Sequence, residues 1–451
     1  MSSLARPNPV PAPQPLSPLQ QIGGVFLLLF LFLAYSRTSD FALPQLHLPL
    51  IAALLALLIL GLTGGLPRVF RTGAAKWLSA FSLWAIAAIP FSTWRGGSFA
   101  MIKEQWLKSF LVFVLLTGLT YTLGQCRRAM YTVAYAILVV CFLALYFHAR
   151  VLGRLMLPFG ALGNPNDLAQ VVLMGLPFWL LMIAVGGVVR KILAVAAILV
   201  LLVVLVATGS RGALVAVAAM CLMLFVRSSG STKLKLVFAG VLGLGVVAIS
   251  TPGNLARRYA SLFGSDDAIV DISDEAAMSS MAERSTILKQ SLLLTLRHPV
   301  FGVGPGNFSL ASTDLFHAAG QRAGWRESHN AYTQISSETG LPGLIFYMGA
   351  LLFCFRRLLA LEKRTRNRPD SVEPHAMAYF LLLAWAGFFT SSAFSSIAYQ
   401  MHFPFLIGLT AALLTTVEQF PQVAKPAPVQ PAPGLGAPRR PFTRGGRTAL
   451  V

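Results

Sequence analysis

The 451-residue sequence predicts an all-α polytopic membrane protein with about twelve transmembrane helices and one large loop on the outer side. Three observations carry that prediction. Composition is the first: 56% of the residues are hydrophobic and 12% charged, about half the charged fraction of a soluble domain, with a mean hydropathy of +0.69. The second is the recurrence of apolar runs close to the roughly 20 residues that a helix needs to cross a bilayer. The third is that Lys and Arg gather in alternate connections, as the positive-inside rule requires.

Residues 1–21, "MSSLARPNPVPAPQPLSPLQQ", are polar and Pro-rich, with no small-residue cleavage site after an apolar core. They are expected to form a disordered cytoplasmic tail before a retained first helix. The stretch 22–250 is expected to hold spans near 22–37, 47–65, 76–92, 106–124, 128–148, 167–188, 191–208, 211–227 and 234–250. Further spans near 333–355, 375–391 and 400–418 make up 333–418. Residues 419–451 are Pro/Gly-rich and basic, the pattern of a second disordered cytoplasmic tail.

With both ends inside, the inner connections hold Arg68, Arg71 and Lys76, then Arg127 and Arg128, then Arg190 and Lys191. Arg227, Lys233 and Lys235 follow, and last the cluster "FRRLLALEKRTRNR". The net charge of +20 is therefore mainly a topology signal, with an added attraction to anionic inner-leaflet lipid. It is not a nucleic-acid footprint. Cys126, Cys141, Cys221 and Cys354 have no metal spacing and fall in or beside spans, where they read as apolar filler.

One connection departs from the pattern. Residues 251–332 leave the membrane on the outer side, and connections of that length are usually functional. Within them "LKQSLLLTLRHP" has helical periodicity without the length to span, so an amphipathic surface helix is expected. The acidic run with Asp266, Asp267, Asp271, Asp274 and Glu275 lacks the spacing and turn glycine of a calcium loop. It reads as a solvated segment.

Chemistry-bearing residues cluster at the outer ends of spans. Arg211, in "VATGSRGALVAVAAM", is either a snorkelling anchor or a planar fork that grips an anion; Gly209 and Gly212 leave room beside it, and Ser210 is placed to cap the next helix. Arg284, in "MAERSTILKQS", is either solvated or a second cation for the same anion, suiting a doubly charged group such as a diphosphate. "HPVFGVGPGNF", 298–308, lacks the context of a dinucleotide fingerprint and reads as a tight backbone turn. In "GNPNDLAQ", Asn164, Asn166 or Asp167 caps a helix or contacts a sugar, and Arg95 and Lys103 in "FSTWRGGSFAMIKEQW" line an outer loop. His329, in "WRESHNAYTQISSETGLPG", sits in a polar patch with Asn330, Tyr332 and Gln334 at the end of the large loop. A neutral imidazole there is a candidate general base.

Three pieces stand in order: "TGSRGALVA", "ERSTILKQSLLLTLRHPVFGVGPGNF" and "SHNAYTQISSETGLPGLIFY". Together they resemble the O-antigen ligase/polymerase superfamily of bacterial envelope glycosyltransferases, over residues 152–355 by motif and the whole chain by topology. Length and the single large loop look most like the O-antigen ligases of lipopolysaccharide assembly. Polymerases and protein O-oligosaccharyltransferases share the loop motifs. The resemblance implies a GT-C-type fold in the bacterial inner membrane, with the active site facing the periplasm. It implies a donor glycan on undecaprenyl diphosphate, lipid A–core oligosaccharide as acceptor, and no metal, nucleotide or other cofactor. By the same resemblance, Arg211 and Arg284 take the diphosphate, His329 is the base, and transfer inverts the anomeric carbon. Asn330, Tyr332, Gln334, Asn164 and Lys103 are then candidate substrate contacts. A lipid or glycan transporter, the alternative from another class, would show repeated halves and charges near the midplane, and neither is visible in the sequence.

Overall fold

The computed structural model describes residues 15–228, 230, 231, 233, 234, 240, 245, 272–318, 320 and 325–418. Helix α1 (Pro18–Ser36) opens with a capping box: Ser17 Oγ accepts from the Gln20 amide at 3.2 Å, and Gln20 Oε1 accepts from the Ser17 amide at 3.0 Å. Then come α2 (Thr38–Ala42), α3 (Leu48–Leu62), α4 (Leu66–Phe70) and α5 (Gly73–Ala87). Helices α6 (Arg95–Met101) and α7 (Leu107–Leu119) are joined by a π turn, Ile102–Trp106. This segment, an outer loop by the sequence pattern, is helical from Arg95 onward. Burial is the reason: Ile102 and Trp106 are both enclosed, and Trp106 Nε1 donates to Ser82 Oγ at 3.0 Å.

Helix α8 (Leu123–Phe147) leads into a small hairpin, β1 (Arg150–Val151) and β2 (Arg154–Leu155), and then to α9 (Pro165–Val185), α10 (Val188–Ala207) and α11 (Arg211–Arg227). The later part comprises α12 (Ile272–Arg297), α13 (Phe308–Ala318), α14 (Ala331–Thr365), α15 (Val372–Ser392) and α16 (His402–Glu418). Among the described residues, eight helical segments are long and apolar enough to cross a membrane, and the chain is an all-α multi-pass membrane protein. Every expected span except 234–250 coincides with a helix, and that one falls almost wholly outside the described residues. So do 1–14, 251–271 with Asp266, Asp267 and Asp271, and 419–451. Helices α7, α11 and α16 have 13, 17 and 17 residues, shorter than the expected spans they coincide with or at their lower limit.

Helix α9 is central. In its most apolar window 78% of the residues are buried, against 28% in α10, and α9 packs on α8, α10 and α15. At the periphery, Leu50, Leu54, Leu58 and Leu62 of α3 and Val188, Val189 and Ile192 of α10 stay exposed, as side chains facing lipid do. Tyr347 of α14 stacks on Phe403 of α16 at 4.0 Å between ring centroids, and Trp106, Trp179 and Trp385 are fully enclosed. Helix α14 is broken at Gly340, whose φ of 73° is left-handed, and Pro342 follows inside the helix. The break separates a short, polar first segment from the long apolar remainder.

The expected surface helix lies within α12. Its Ile287 and Leu294 are buried with Val303, Phe308 and Ala311 in a small core of their own. Leu288, Leu292, Leu293 and Leu296 form an exposed apolar stripe on the same helix.

Candidate active site

His329 closes the loop ahead of α14, and its backbone is held from two sides. Asn330 is the N-cap of α14: its Oδ1 accepts from the Tyr332 amide at 2.9 Å and the Thr333 amide at 3.1 Å. The His329 amide donates to Ser396 Oγ at 2.9 Å, and Ser328 Oγ lies 3.3 Å from the same hydroxyl. His329 has a φ of 51°, a left-handed conformation that a histidine adopts only where its surroundings enforce it. Replacing Asn330 with alanine should lower stability by about 1 kcal/mol through loss of the cap, with Asn330→Asp close to wild type, as thermal unfolding in detergent would report.

Helix α12 carries Arg284. Arg326 pairs with Glu283 at 2.8 Å and lies over the Phe316 ring, so the loop before His329 is docked on both α12 and α13. Thr295 Oγ1 and Ser336 Oγ, 2.8 Å apart, tie α12 to the first segment of α14. Arg284, next to Glu283, thereby comes close enough to act on His329. Burial, reinforced by the Arg284 charge, pushes the imidazole down to about 4. The ring is therefore neutral at physiological pH. Glu327, two residues earlier, keeps an exposed side chain; the desolvation it does experience pushes its carboxyl up, and the Ser396 hydroxyl partly offsets this.

Arg211 is the first residue of α11 and is 9% exposed. The turn before it runs through Gly209 at a φ of 61°. Ser210 occupies the N-cap position but makes no side-chain cap bond, contrary to the sequence expectation. Thr208 is the reason, since its hydroxyl accepts from the Ser210 amide at 3.3 Å and so organises the turn from one residue further back. Gly212 presses on Phe394; a Cβ there would lie 2.5 Å from the Phe394 Cβ.

Phe394 belongs to the connection 393–401, which joins the parts of the site. It meets α11 at Phe394 and the His329 amide at Ser396. Its Ala398 amide donates to Gln334 Oε1 at 3.4 Å, and Ser395 Oγ accepts from Gln170 Nε2 of α9 at 3.1 Å. Gln400 lies beside the Asp167 carboxyl at the start of α9 and favours its charged form. Sequence reasoning passed over this connection; its signal was "SSAFSS", a run of hydroxyls between two apolar spans. It also passed over Arg154, whose Nε donates to the Thr208 carbonyl at 2.8 Å and whose Nη2 donates to Asn166 Oδ1 at 2.7 Å. An arginine in a connection expected on the outer side runs against the positive-inside pattern, and that is its signal.

The glycine-rich segment and the start of α14 form one unit. Val303 and Gly304 amides donate to the Ser337 and Glu338 carbonyls at 2.8 and 2.9 Å, and the Leu341 amide donates to the Pro299 carbonyl at 2.8 Å. The Glu338 carboxylate, 2% exposed, accepts from the Gly306 and Phe308 amides at 2.8 and 3.3 Å and so caps α13. Gly302, Gly304 and Gly306 have φ of 67°, 101° and 76°, as the tight-turn reading expected.

The remaining candidates have intramolecular roles. Tyr332 Oη donates to the Phe389 carbonyl at 2.7 Å, and Gln334 is held by Ala398. Asn164 caps α9 by accepting from the Asn166 amide at 2.9 Å. Lys103 is exposed on the π turn, among residues that no described contact joins to His329. Among the described residues, no group of three or more His, Cys, Asp or Glu is placed to share a metal ion.

Residues 195–348 match the family model described as O-antigen ligase, a stretch that runs from α10 into α14 and contains Arg211, Arg284 and His329. No curated protein matches the chain.

Proposed function

We propose that this chain, a multi-pass membrane protein carrying a domain of the O-antigen ligase superfamily, is an O-antigen ligase. In this reading it moves O-antigen polysaccharide from undecaprenyl diphosphate to lipid A–core oligosaccharide, on the periplasmic face of the bacterial inner membrane. The observation that supports it best is that His329, neutral and held by Ser396 at the start of α14, lies within reach of the Arg284 charge inside the matched domain.

The chemistry follows from that pairing. A ring nitrogen of His329 takes the proton of an acceptor hydroxyl as its oxygen attacks the anomeric carbon of the donor sugar. The bond from that carbon to the diphosphate breaks, and undecaprenyl diphosphate leaves with added negative charge. Arg284 and Arg211 stabilise that charge, the role a metal ion fills in other transferases. A single displacement inverts the anomeric carbon. Arg154, Asn330 and Gln334 act in this scheme as positioning residues, because each holds a turn or loop that carries a reacting group.

Donor binding tunes the base. A diphosphate between His329 and Arg284 cancels the guanidinium field that helps hold the imidazole near 4, so His329 becomes more basic when the donor is bound. The sign is that of a histidine with a depressed value: the base form is lost only as pH falls through that value. The acid limb of kcat, which reports the loaded enzyme, is therefore expected at higher pH than that of kcat/KM. Arg284→Gln should raise the limb of kcat/KM. Identical limbs in both parameters and in the variant would sink the coupling.

The test of the activity is reconstitution in nanodiscs with lipid-linked donor and lipid A–core acceptor. Glycan should appear on lipid A–core, and full activity should persist in EDTA. Growth of the lipid-linked glycan itself, with the core left bare, would make the protein a polymerase instead.

A further inference from the structure

We propose that the end of the helical bundle remote from His329 holds a binding site for the phosphate headgroup of an anionic phospholipid, formed by Arg68, Arg71 and Arg357 around the N-terminus of α5. A cavity of about 460 Å³ lies there, lined by these arginines, Gly73, Phe353 and Glu418 among others. Phe353 and Arg357 stand 13 and 17 residues beyond the break at Gly340, so at 1.5 Å per residue the cavity lies roughly 20–25 Å along the second segment of α14, with the His329 end on the other side of the break. It is distinct from the proposed transfer site and independent of that reading.

Its charge suits a phosphate. Three guanidinium groups face one carboxylate, Glu418, leaving a net charge of about +2 in the lining. Arg68 is fixed in place: its Nη2 donates to the Thr120 carbonyl at 2.7 Å, and its guanidinium lies 4.7 Å over the Tyr121 ring. Its Nη1 is buried with no hydrogen-bond partner, so this end of the guanidinium adds charge to the wall without itself reaching into the cavity. Arg357 pairs with Glu418 at 2.8 Å, but both side chains are about half exposed, so the pair is weak and an anion can share or replace the carboxylate.

The α5 N-terminus adds to this. Its first turn contains no acidic residue, so the positive end of the helix dipole is not balanced from within. Thr72 Oγ1 accepts from the Ala75 amide at 3.2 Å and so caps this turn, and Thr72, Gly73 and Ala74 all line the cavity. Gly73 lets the Phe353 ring pack directly on the first turn of α5, since a Cβ there would meet the tip of that ring and require it to shift.

Apolar side chains give the site its lipid character. Phe353, Ala411 and Leu414 line the same cavity, and Phe70 beside it is 49% exposed. A free phosphate has no use for such a wall, whereas acyl chains lie along it. Basic pockets between membrane helices at the inner surface recognise anionic headgroups in this way, and these arginines belong to the connections that the positive-inside rule assigns to the inner side.

Native mass spectrometry of the full chain in neutral detergent tests the site, with phosphatidylglycerol, phosphatidylethanolamine and inorganic phosphate as separate probes. Phosphatidylglycerol should bind most tightly, and each arginine removed should weaken it about five-fold, so that Arg71→Gln with Arg357→Gln loses roughly 25-fold. Glu418→Gln should tighten it, and this variant keeps the proposal testable if the double variant does not fold. Equal retention of phosphatidylethanolamine, or unchanged binding in the double variant and in Glu418→Gln, would overturn the proposal. Saturable binding of inorganic phosphate with the same response to the variants would reassign the site to free phosphate and overturn the lipid.

Discussion

His329→Ala is expected to lower glycosyl transfer by about 10²- to 10⁴-fold, the range that a positioned general base contributes, while donor binding is retained. The imidazole is the only part of His329 that the proposed reaction uses. Its amide is held by Ser396 and the next residue caps α14, and neither contact needs the ring. Alanine has one drawback at this position. A φ of 51° suits it poorly, at a cost of about 1–2 kcal/mol, so part of any loss would come from the backbone. Asparagine tolerates the left-handed region and lacks a comparable base, which makes His329→Asn the cleaner probe. Transfer kinetics with saturating lipid-linked donor, beside thermal unfolding of the same samples, would separate the two effects. Near-normal kcat in His329→Asn would remove this residue from the chemistry.

Gly340→Ala is expected to have the largest effect on stability, about 3 kcal/mol or more, and to take activity with it. Two costs combine at this position. The φ of 73° is one that alanine adopts only under strain. The added Cβ would also press into the Val300 carbonyl and lie 2.7 Å from the Pro299 carbonyl oxygen, both backbone atoms that no rotamer change can move aside. Relief requires parting the Leu341–Pro299 hydrogen bond, which frees the glycine-rich turn from α14. The polar first segment of α14, with Asn330 and Gln334 on it, would then lose its support. Gly61→Ala is the control, since a Cβ there meets nothing within 4 Å. Comparable melting temperatures for the two variants would show that the turn and the helix are not coupled as described.

The membrane class, the helices and the order of the three motifs were legible because they depend on local properties. An apolar run such as 191–208 must bury its backbone in a helix wherever it meets lipid, and α10 covers it. The glycine turns at 302, 304 and 306 were legible for a similar reason, since spacing alone signals repeated left-handed backbone. The misreadings have a common cause. The segment 91–106 looked like a loop because Arg95, Gly96 and Gly97 open it, yet the packing of Ile102 and Trp106 makes most of it helical. Ser210 has the residue type of a cap, but the Thr208 hydroxyl organises that turn instead.

The sequence by itself determined what each segment is: which runs are apolar helices, where charge gathers, and which polar residues stand near helix ends. Those properties follow from composition and periodicity over a few turns of chain. Only the tertiary structure decided which of them meet. Arg284 comes to His329 because Glu283 pairs with Arg326 and Thr295 meets Ser336, contacts that span some 40 residues of chain. Ser396, 67 residues beyond His329, holds its amide, and Glu338 caps a helix that begins 30 residues earlier. Such pairings depend on how whole helices pack, and no local pattern in the chain encodes them.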